Sequence, residues 1–190
     1  MPKQIPWLWF FTDPVRTPDP LAVVRRLPRG AVVVYRAFGA PEAKEMALAL
    51  RQLTRAQGLK LLIGADPDLA ARVGADGVHL PERLTNLIPA IRRGRPGWLI
   101  SVAAHDVRAI RRGQAADVLV VSAAFVSRSP SAGPALGPIR FTRLVRSSAK
   151  PVIALGGVNN KNAPRLISTG AVGIAAIEGL MTDQTLPART

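Results

Sequence analysis

Eight short apolar runs, rich in β-branched residues and evenly spaced along the chain, constrain its fold more than any other feature. They are WLWFFT (7–12), AVVVYR (31–36), LKLLIG (59–64), DGVHL (76–80), GWLISV (97–102), DVLVVS (117–122), PVIAL (151–155) and VGIAAI (172–177). They read as continuous apolar runs and not as alternating ones, which suits strands covered on both faces. The stretches between them mix Ala, Leu, Arg and polar residues and read as helices at 19–27, 41–57, 67–73, 83–93, 105–113, 138–148 and 160–169, several opened by Pro or Asp. Repeated strand–helix units build a parallel sheet, and eight of them predict a compact (β/α)8 TIM barrel. At 190 residues the chain falls just under the usual floor of ~200 for that fold, so some helices must be short. An open doubly wound sheet is the structural alternative.

With 48% hydrophobic residues the chain can bury one sizeable core, and a single domain over 1–190 is expected. No run approaches the roughly 20 apolar residues that span a bilayer, so no membrane partner is expected. The absence of cysteine excludes a disulfide framework and a thiolate metal site, and leaves the cytoplasm as the default compartment. The formal charge of +14 could signal nucleic acid or anionic substrates. Of the 26 basic residues five are lysine and the other 21 arginine, spread over most segments, while aromatics make up 5% and gather in the first 40 residues. A nucleic-acid footprint would be clustered and interleaved with aromatics, so the pattern argues against that partner. A homo-oligomer is left open.

"GADGVHL" (74–80), "GQAADVLVV" (113–121) and "TGAVGIAAI" (169–177) repeat one arrangement, a Gly after a helix and an Ala or Asp before a strand. The glycines suit the left-handed position that ends a helix.

In such a barrel, chemistry sits on the loops that follow the strands, and phosphate sites commonly use the loops after strands seven and eight. After strand seven, Gly156 and Gly157 let backbone approach an anion, and the helix behind them would offer free N–H groups and a positive dipole end. The loop after strand six, "SAAFVSRSPSAGPALGP" (122–138), carries Ser127, Arg128, Ser129 and Ser131, which could hold an oxyanion; its length suits a lid. Arg36 ends strand two and points to the mouth, where a plain exposed arginine is the alternative. The carboxylates near the mouth are Asp13, Asp66, Asp68, Glu82 and Glu178, with Asp68 read as a helix-start residue. His79, in an apolar strand, reads as a core side chain, and with His105 makes no metal or nucleophile pattern.

The stretches "FFTD" (10–13), "DLAARVGADGVHLPE" (68–82) and "PVIALGGVNNKNAPRLISTGAVGIAAI" (151–177), in that order, resemble the thiamine phosphate synthase and TenI-like family of small barrels over Leu8 to Leu180. The resemblance implies a role in thiamine biosynthesis: one branch couples an aminopyrimidine methyl diphosphate to a thiazole phosphate with magnesium, and the other tautomerises the thiazole phosphate. The implied partner is a small phosphorylated substrate. By the same resemblance Arg36, Ser127 and Ser129 are the catalytic candidates, and Gly156, Gly157 and Arg128 the phosphate-binding ones. The family's second-strand Gln-Arg-Lys pattern becomes Val34, Arg36 and Phe38. Its Asn-Asp pair falls on Gly64 and Ala65, its Gly-Gln-x-Asp on Pro81, Glu82, Arg83 and Leu84, and its diphosphate lysine on Pro130. The aspartates that hold magnesium are therefore absent, and no metal ligands can be named. The tautomerase histidine falls on Ala123, and the serine after strand eight becomes Glu178, a carboxylate beside the supposed cradle. The site thus reads as degenerate, and a non-catalytic or repurposed binder of a phosphorylated ligand is the alternative to the synthase.

Overall fold

The computed structural model describes residues 3–127 and 133–178. Eight parallel strands close into a barrel in sequence order, β1 (Leu8–Phe11), β2 (Val32–Tyr35), β3 (Lys60–Gly64), β4 (Gly77–Leu80), β5 (Leu99–Ala104), β6 (Val118–Val121), β7 (Val152–Ala154) and β8 (Gly173–Ala176), with β8 pairing back onto β1. The (β/α)8 expectation stands, and the open sheet is set aside by that closure.

Alternate residues of each strand face inward or outward, and both sets are apolar, which is why the runs look continuous in sequence. Trp9, Phe11, Val32, Val34, Leu62, Leu99, Val118, Val120, Ile153 and Ala175 fill the barrel. The outward set, including Phe10, Val33, Ile63, Val78, Ile100 and Val121, packs against the surrounding helices. The barrel is therefore a packed core and not a pore. Trp9 buries its indole fully and still donates Nε1–H to the Pro6 carbonyl at 2.7 Å, so no donor is orphaned there.

Six helices are α: α1 (Pro20–Val24), α2 (Ala43–Gln57), α3 (Pro67–Arg72), α4 (Ile88–Gly94), α5 (Val107–Arg112) and α6 (Gly137–Arg146). α2 is the longest; it buries Ala47, Leu50 and Thr54 at helical spacing and ends on Gly58 in the left-handed region at φ 67°. Asp66 caps α3 by accepting Leu69 N–H at 2.8 Å, and Asp68 lies in its first turn. No described helix is long and apolar enough to cross a membrane.

Two expectations need correction. The segment after β7 is a 3₁₀ helix, Ala163–Thr169, and not an α-helix; the Thr169 hydroxyl donates to the Leu166 carbonyl at 2.6 Å and Gly170 turns the chain at φ 87°. An α-helical dipole therefore does not stand behind Gly156 and Gly157. Gly74 and Gly170 take the left-handed conformation, but Gly113 has φ −80°. Gly113 is needed for space, because a Cβ there would lie 2.5 Å from Leu119 Cδ2.

The repeated Asp has a structural reason. Asp76 N–H donates to the Leu61 carbonyl, and its Oδ2 accepts Leu61 N–H at 2.8 Å and Arg51 Nη1 at 2.8 Å. Asp117 does the same to Ile100, whose N–H lies 2.8 Å from Oδ2, and pairs with Arg92 at 2.9 Å and Lys3 at 3.0 Å. Each carboxylate thus ties the start of one strand to the strand before it. The third copy has Val172 at that place, which has no carboxylate, and makes the backbone bond to Val152.

Candidate active site at the strand ends

The loop after β1 is built by "TDPVRT" (12–17). Asp-Pro favours a turn, and Asp13 Oδ1 accepts the N–H groups of Val15 (3.2 Å) and Arg16 (3.1 Å). Thr17 closes the turn, its hydroxyl accepting Asp13 N–H at 2.8 Å and donating to the Asp13 carbonyl at 2.9 Å. The turn folds the Arg16 side chain back, so that Nη2 meets Asp13 Oδ2 at 2.8 Å.

Arg36 arrives at the same carboxylate from β2. Its backbone N–H donates to Thr12 Oγ1 at 2.9 Å, its Nε to the Thr12 carbonyl at 2.7 Å, and its Nη2 lies 3.3 Å from Asp13 Oδ2. The guanidinium also lies over the Phe11 and Phe38 rings, at 5.7 and 5.0 Å. Arg36 is thus no freely solvated arginine; its side chain is 20% exposed. Burial lowers its pKa to about 10, with Asp13 opposing and Arg16 adding to the drop. Burial pushes the Asp13 carboxyl upward, and hydrogen bonds from the Arg16 side chain and backbone more than reverse this, leaving it below the usual carboxylate value.

Glu178, expected to oppose an anion, is turned to a partner: its Oε1 lies 4.0 Å from Arg16 Nε. Asp13, Arg16, Arg36 and Glu178 therefore form one chain of alternating charge across the junction of β8, β1 and β2. A cavity of about 390 Å³ reaches Thr12, Asp13 and Arg36 from the α2 side, lined further by Tyr35 and Glu42. Another, of about 700 Å³, opens at the opposite end of the barrel near Lys3, Trp7 and Lys60. Two half-buried arginines, Arg16 and Arg36, converge at the strand ends.

Across the mouth the polar side chains are histidines and serines. His79 points into the barrel, 8% exposed, with Nδ1 2.9 Å from Ser101 Oγ and its ring edge-on to Phe11 at 4.9 Å. Burial, then the charges of Arg36 and His105, lower its pKa to about 3, so it is an uncharged imidazole at neutral pH. His105 Nδ1 lies 3.1 Å from both the Ser122 carbonyl and hydroxyl oxygens, on the neighbouring strand end.

After β7, Gly156 and Gly157 have φ of 96° and 64°. A Cβ on Gly156 would lie 2.8 Å from Ala123 Cα, and one on Gly157 2.1 Å from the Val126 carbonyl oxygen, so the loop after β6 occupies the space both glycines leave. The N–H groups of Gly156, Gly157 and Val158 nevertheless meet no acceptor among the described residues. Asn162 holds the turn by donating Nδ2 to the Gly157 carbonyl at 2.8 Å and accepting Asn159 N–H at 2.8 Å. Gly156, Gly157 and Val158 thus present three successive open amides, with no α-helical dipole behind them.

Ser127 is described and has a bonding partner, whereas Arg128, Ser129 and the rest of 128–132 lie outside the described residues, and the lid expectation with them. Arg16, Thr12, Ser101 and the His105–Ser122 pair were not among the expected site residues. For Arg16 a signal existed, an Asp-Pro turn with a cation three residues after the Asp; the others become visible only when strand ends are brought together.

The remaining mouth carboxylates are committed: Asp13 to two guanidiniums, Asp66 to its helix cap, Glu82 to Arg112, and Glu178 to Arg16. Among the described residues no group of three or more His, Asp or Glu side chains could hold a metal ion.

The family model described as thiamine monophosphate synthase matches residues 8–180. A thiamine-phosphate synthase of Alcanivorax borkumensis is 33% identical over 182 residues, covering 91% of this chain and 84% of that protein. One from Marinobacter nauticus is 31% identical, covering 94% and 84%. Among solved structures, the thiamine phosphate pyrophosphorylase of Pyrococcus furiosus superposes with a TM-score of 0.77 at 28% identity, covering 93% of this chain and 88% of that one. The match of the family model over residues 8–180, with relatives 31–33% identical over most of both chains, places this protein in the thiamine monophosphate synthase family.

Proposed function

We propose that the protein couples an aminopyrimidine methyl diphosphate to a thiazole phosphate, forming thiamine phosphate and releasing diphosphate. In this step the C–O bond to diphosphate breaks with its electron pair leaving on oxygen, and the thiazole nitrogen supplies the pair for the new C–N bond. No proton need move, so the demand is for stabilised charge on the leaving group and for two oriented substrates. The observation that carries the reading is Arg36, buried, cationic and fixed at the mouth by Thr12 and Asp13. The open amides of Gly156, Gly157 and Val158 suit the thiazole phosphate, and the neutral His79–Ser101 side of the mouth suits an uncharged ring. Ser127, Arg128 and Ser129 are assigned to the leaving diphosphate. Small diffusible phosphorylated substrates of this kind belong to the cytoplasm.

Magnesium is the family's usual aid to the leaving group, but the carboxylates present do not fit it. Ala65 and Leu84 stand where its aspartates would be, and Asp13, Asp66, Glu82 and Glu178 are held by cations or a helix cap. No step is assigned to the metal.

A second reading has one observation in its favour. Val34 is fully buried and Phe38 covers Arg36, so two of three polar positions on the second strand are apolar, as in a protein that binds phosphate without reacting. Incubating purified protein with both precursors and separating the products by chromatography decides between them. The synthase reading expects thiamine phosphate and diphosphate in equal amounts; stabilisation by thiazole phosphate without any product would leave the binder alone.

A further inference from the structure

The two guanidiniums that share Asp13 carry more donors than the protein uses. Of the five N–H groups on a guanidinium, Arg36 commits Nε to the Thr12 carbonyl and one N–H of Nη2 to Asp13, while Arg16 commits one N–H of Nη2 to Asp13. The rest meet no acceptor within hydrogen-bond distance among the described residues, although the side chains are only 20% and 15% exposed. These open N–H groups face the accessible side of the mouth, where the oxygens of a ligand can reach them. Asp13 balances one of the two positive charges. Glu178 stands near the other, but at 4.0 Å from Arg16 Nε it makes an ion pair without a hydrogen bond, and its side chain is 40% exposed.

We propose that Arg16 is a second anion-binding arginine, acting with Arg36 on the phosphate or diphosphate group of a substrate, and that Glu178 is a resident carboxylate which this group displaces from Arg16. The inference rests on the reading that the mouth takes phosphorylated substrates, and it adds where the missing positive charge comes from. The magnesium aspartates and the diphosphate lysine are replaced by Ala65, Leu84 and Pro130. Two arginines braced by one carboxylate give the same compensation from the chain itself, in the planar fork geometry that matches phosphate oxygens. Glu178 keeps Arg16 in place and the mouth near neutral until the anion arrives.

Calorimetric titration with inorganic diphosphate, in buffer containing a magnesium chelator, tests this on the full chain. The native protein should bind without magnesium. Glu178→Gln, a change at a 40% exposed side chain, should bind severalfold more tightly, and Arg16→Met about tenfold or more weakly. Because Arg16→Met also removes a contact to Asp13, its thermal midpoint is measured alongside. If it fails to fold, Glu178→Gln decides alone. Equal affinity in native and Glu178→Gln proteins, or binding only when magnesium is restored, overturns the proposal, as does the absence of diphosphate binding in the native protein. Thiamine phosphate formation is read separately, so a protein that makes product yet shows no effect at Glu178 loses the clamp and keeps the function.

Discussion

The two ends of the barrel each hold carboxylates against arginines, and they do so for different purposes. At the strand starts, Asp76 and Asp117 accept backbone N–H groups of the preceding strands as well as Arg51, Arg92 and Lys3. Those carboxylates continue the strand ladder. At the strand ends, Asp13 accepts only from its own turn and from two guanidiniums, and the guanidiniums retain open N–H groups. The same residue types therefore make a seam at one end and, in the proposed reading, a receptor at the other. What distinguishes them is what the carboxylate ties down, the N–H of a neighbouring strand at one end and its own turn at the other, not the count of charges; a barrel of this kind keeps stability at its starting face and chemistry at its finishing face.

The comparison predicts where damage falls. The largest loss of stability is expected from Gly77→Ala at the strand starts, because a Cβ there would lie 1.9 Å from the Leu99 carbonyl oxygen of the adjacent strand. Relief requires β4 and β5 to part, so a loss of roughly 3 kcal/mol or more in urea unfolding is expected. Next comes Asp117→Ala, which strands Ile100 N–H, Arg92 and Lys3 together. About 2 kcal/mol should be lost, seen as a thermal midpoint lower by about 4–8 °C, while kcat/KM stays within about twofold.

The inner wall offers a pH test of similar size. The folded pKa of His79, about 3, lies below the unfolded value of 6.5. Between these values the unfolded chain takes up a proton that the native protein refuses, so stability falls as pH drops from 6.5 towards 3. From pH 7 to pH 5 this contributes a loss of about 2 kcal/mol, and His79→Gln should remove that share of the slope. An unchanged slope would mean that His79 is not held neutral by its place inside the barrel.

Much of the barrel is legible in the sequence because a strand covered on both faces is apolar at most positions and does not alternate, and all eight runs follow that pattern. Arg36 is legible too, as the one polar survivor of a recognisable strand end. The 3₁₀ turn after β7 was not, since Ala163–Thr169 has helical composition and only the Thr169 hydroxyl and Gly170 reveal the tighter winding. Nor was the pairing of Arg16 with Glu178, because those residues lie near opposite ends of the chain and meet only through closure of β8 on β1. Read alone, Glu178 is a charge facing a phosphate cradle; in the fold it is a charge with a partner.

The central claim is that the strand-end arginines, and not the strand-start ones, serve the reaction. It is tested most directly by measuring thiamine phosphate formation from both precursors for the native, Arg36→Met and Asp117→Ala proteins. The account predicts that Arg36→Met loses about 100-fold or more in kcat/KM, as expected when a charged contact to a leaving group is removed, while Asp117→Ala keeps its rate and loses only stability. Native-like turnover by Arg36→Met, or a comparable loss of rate in Asp117→Ala at a temperature where it is folded, would contradict it.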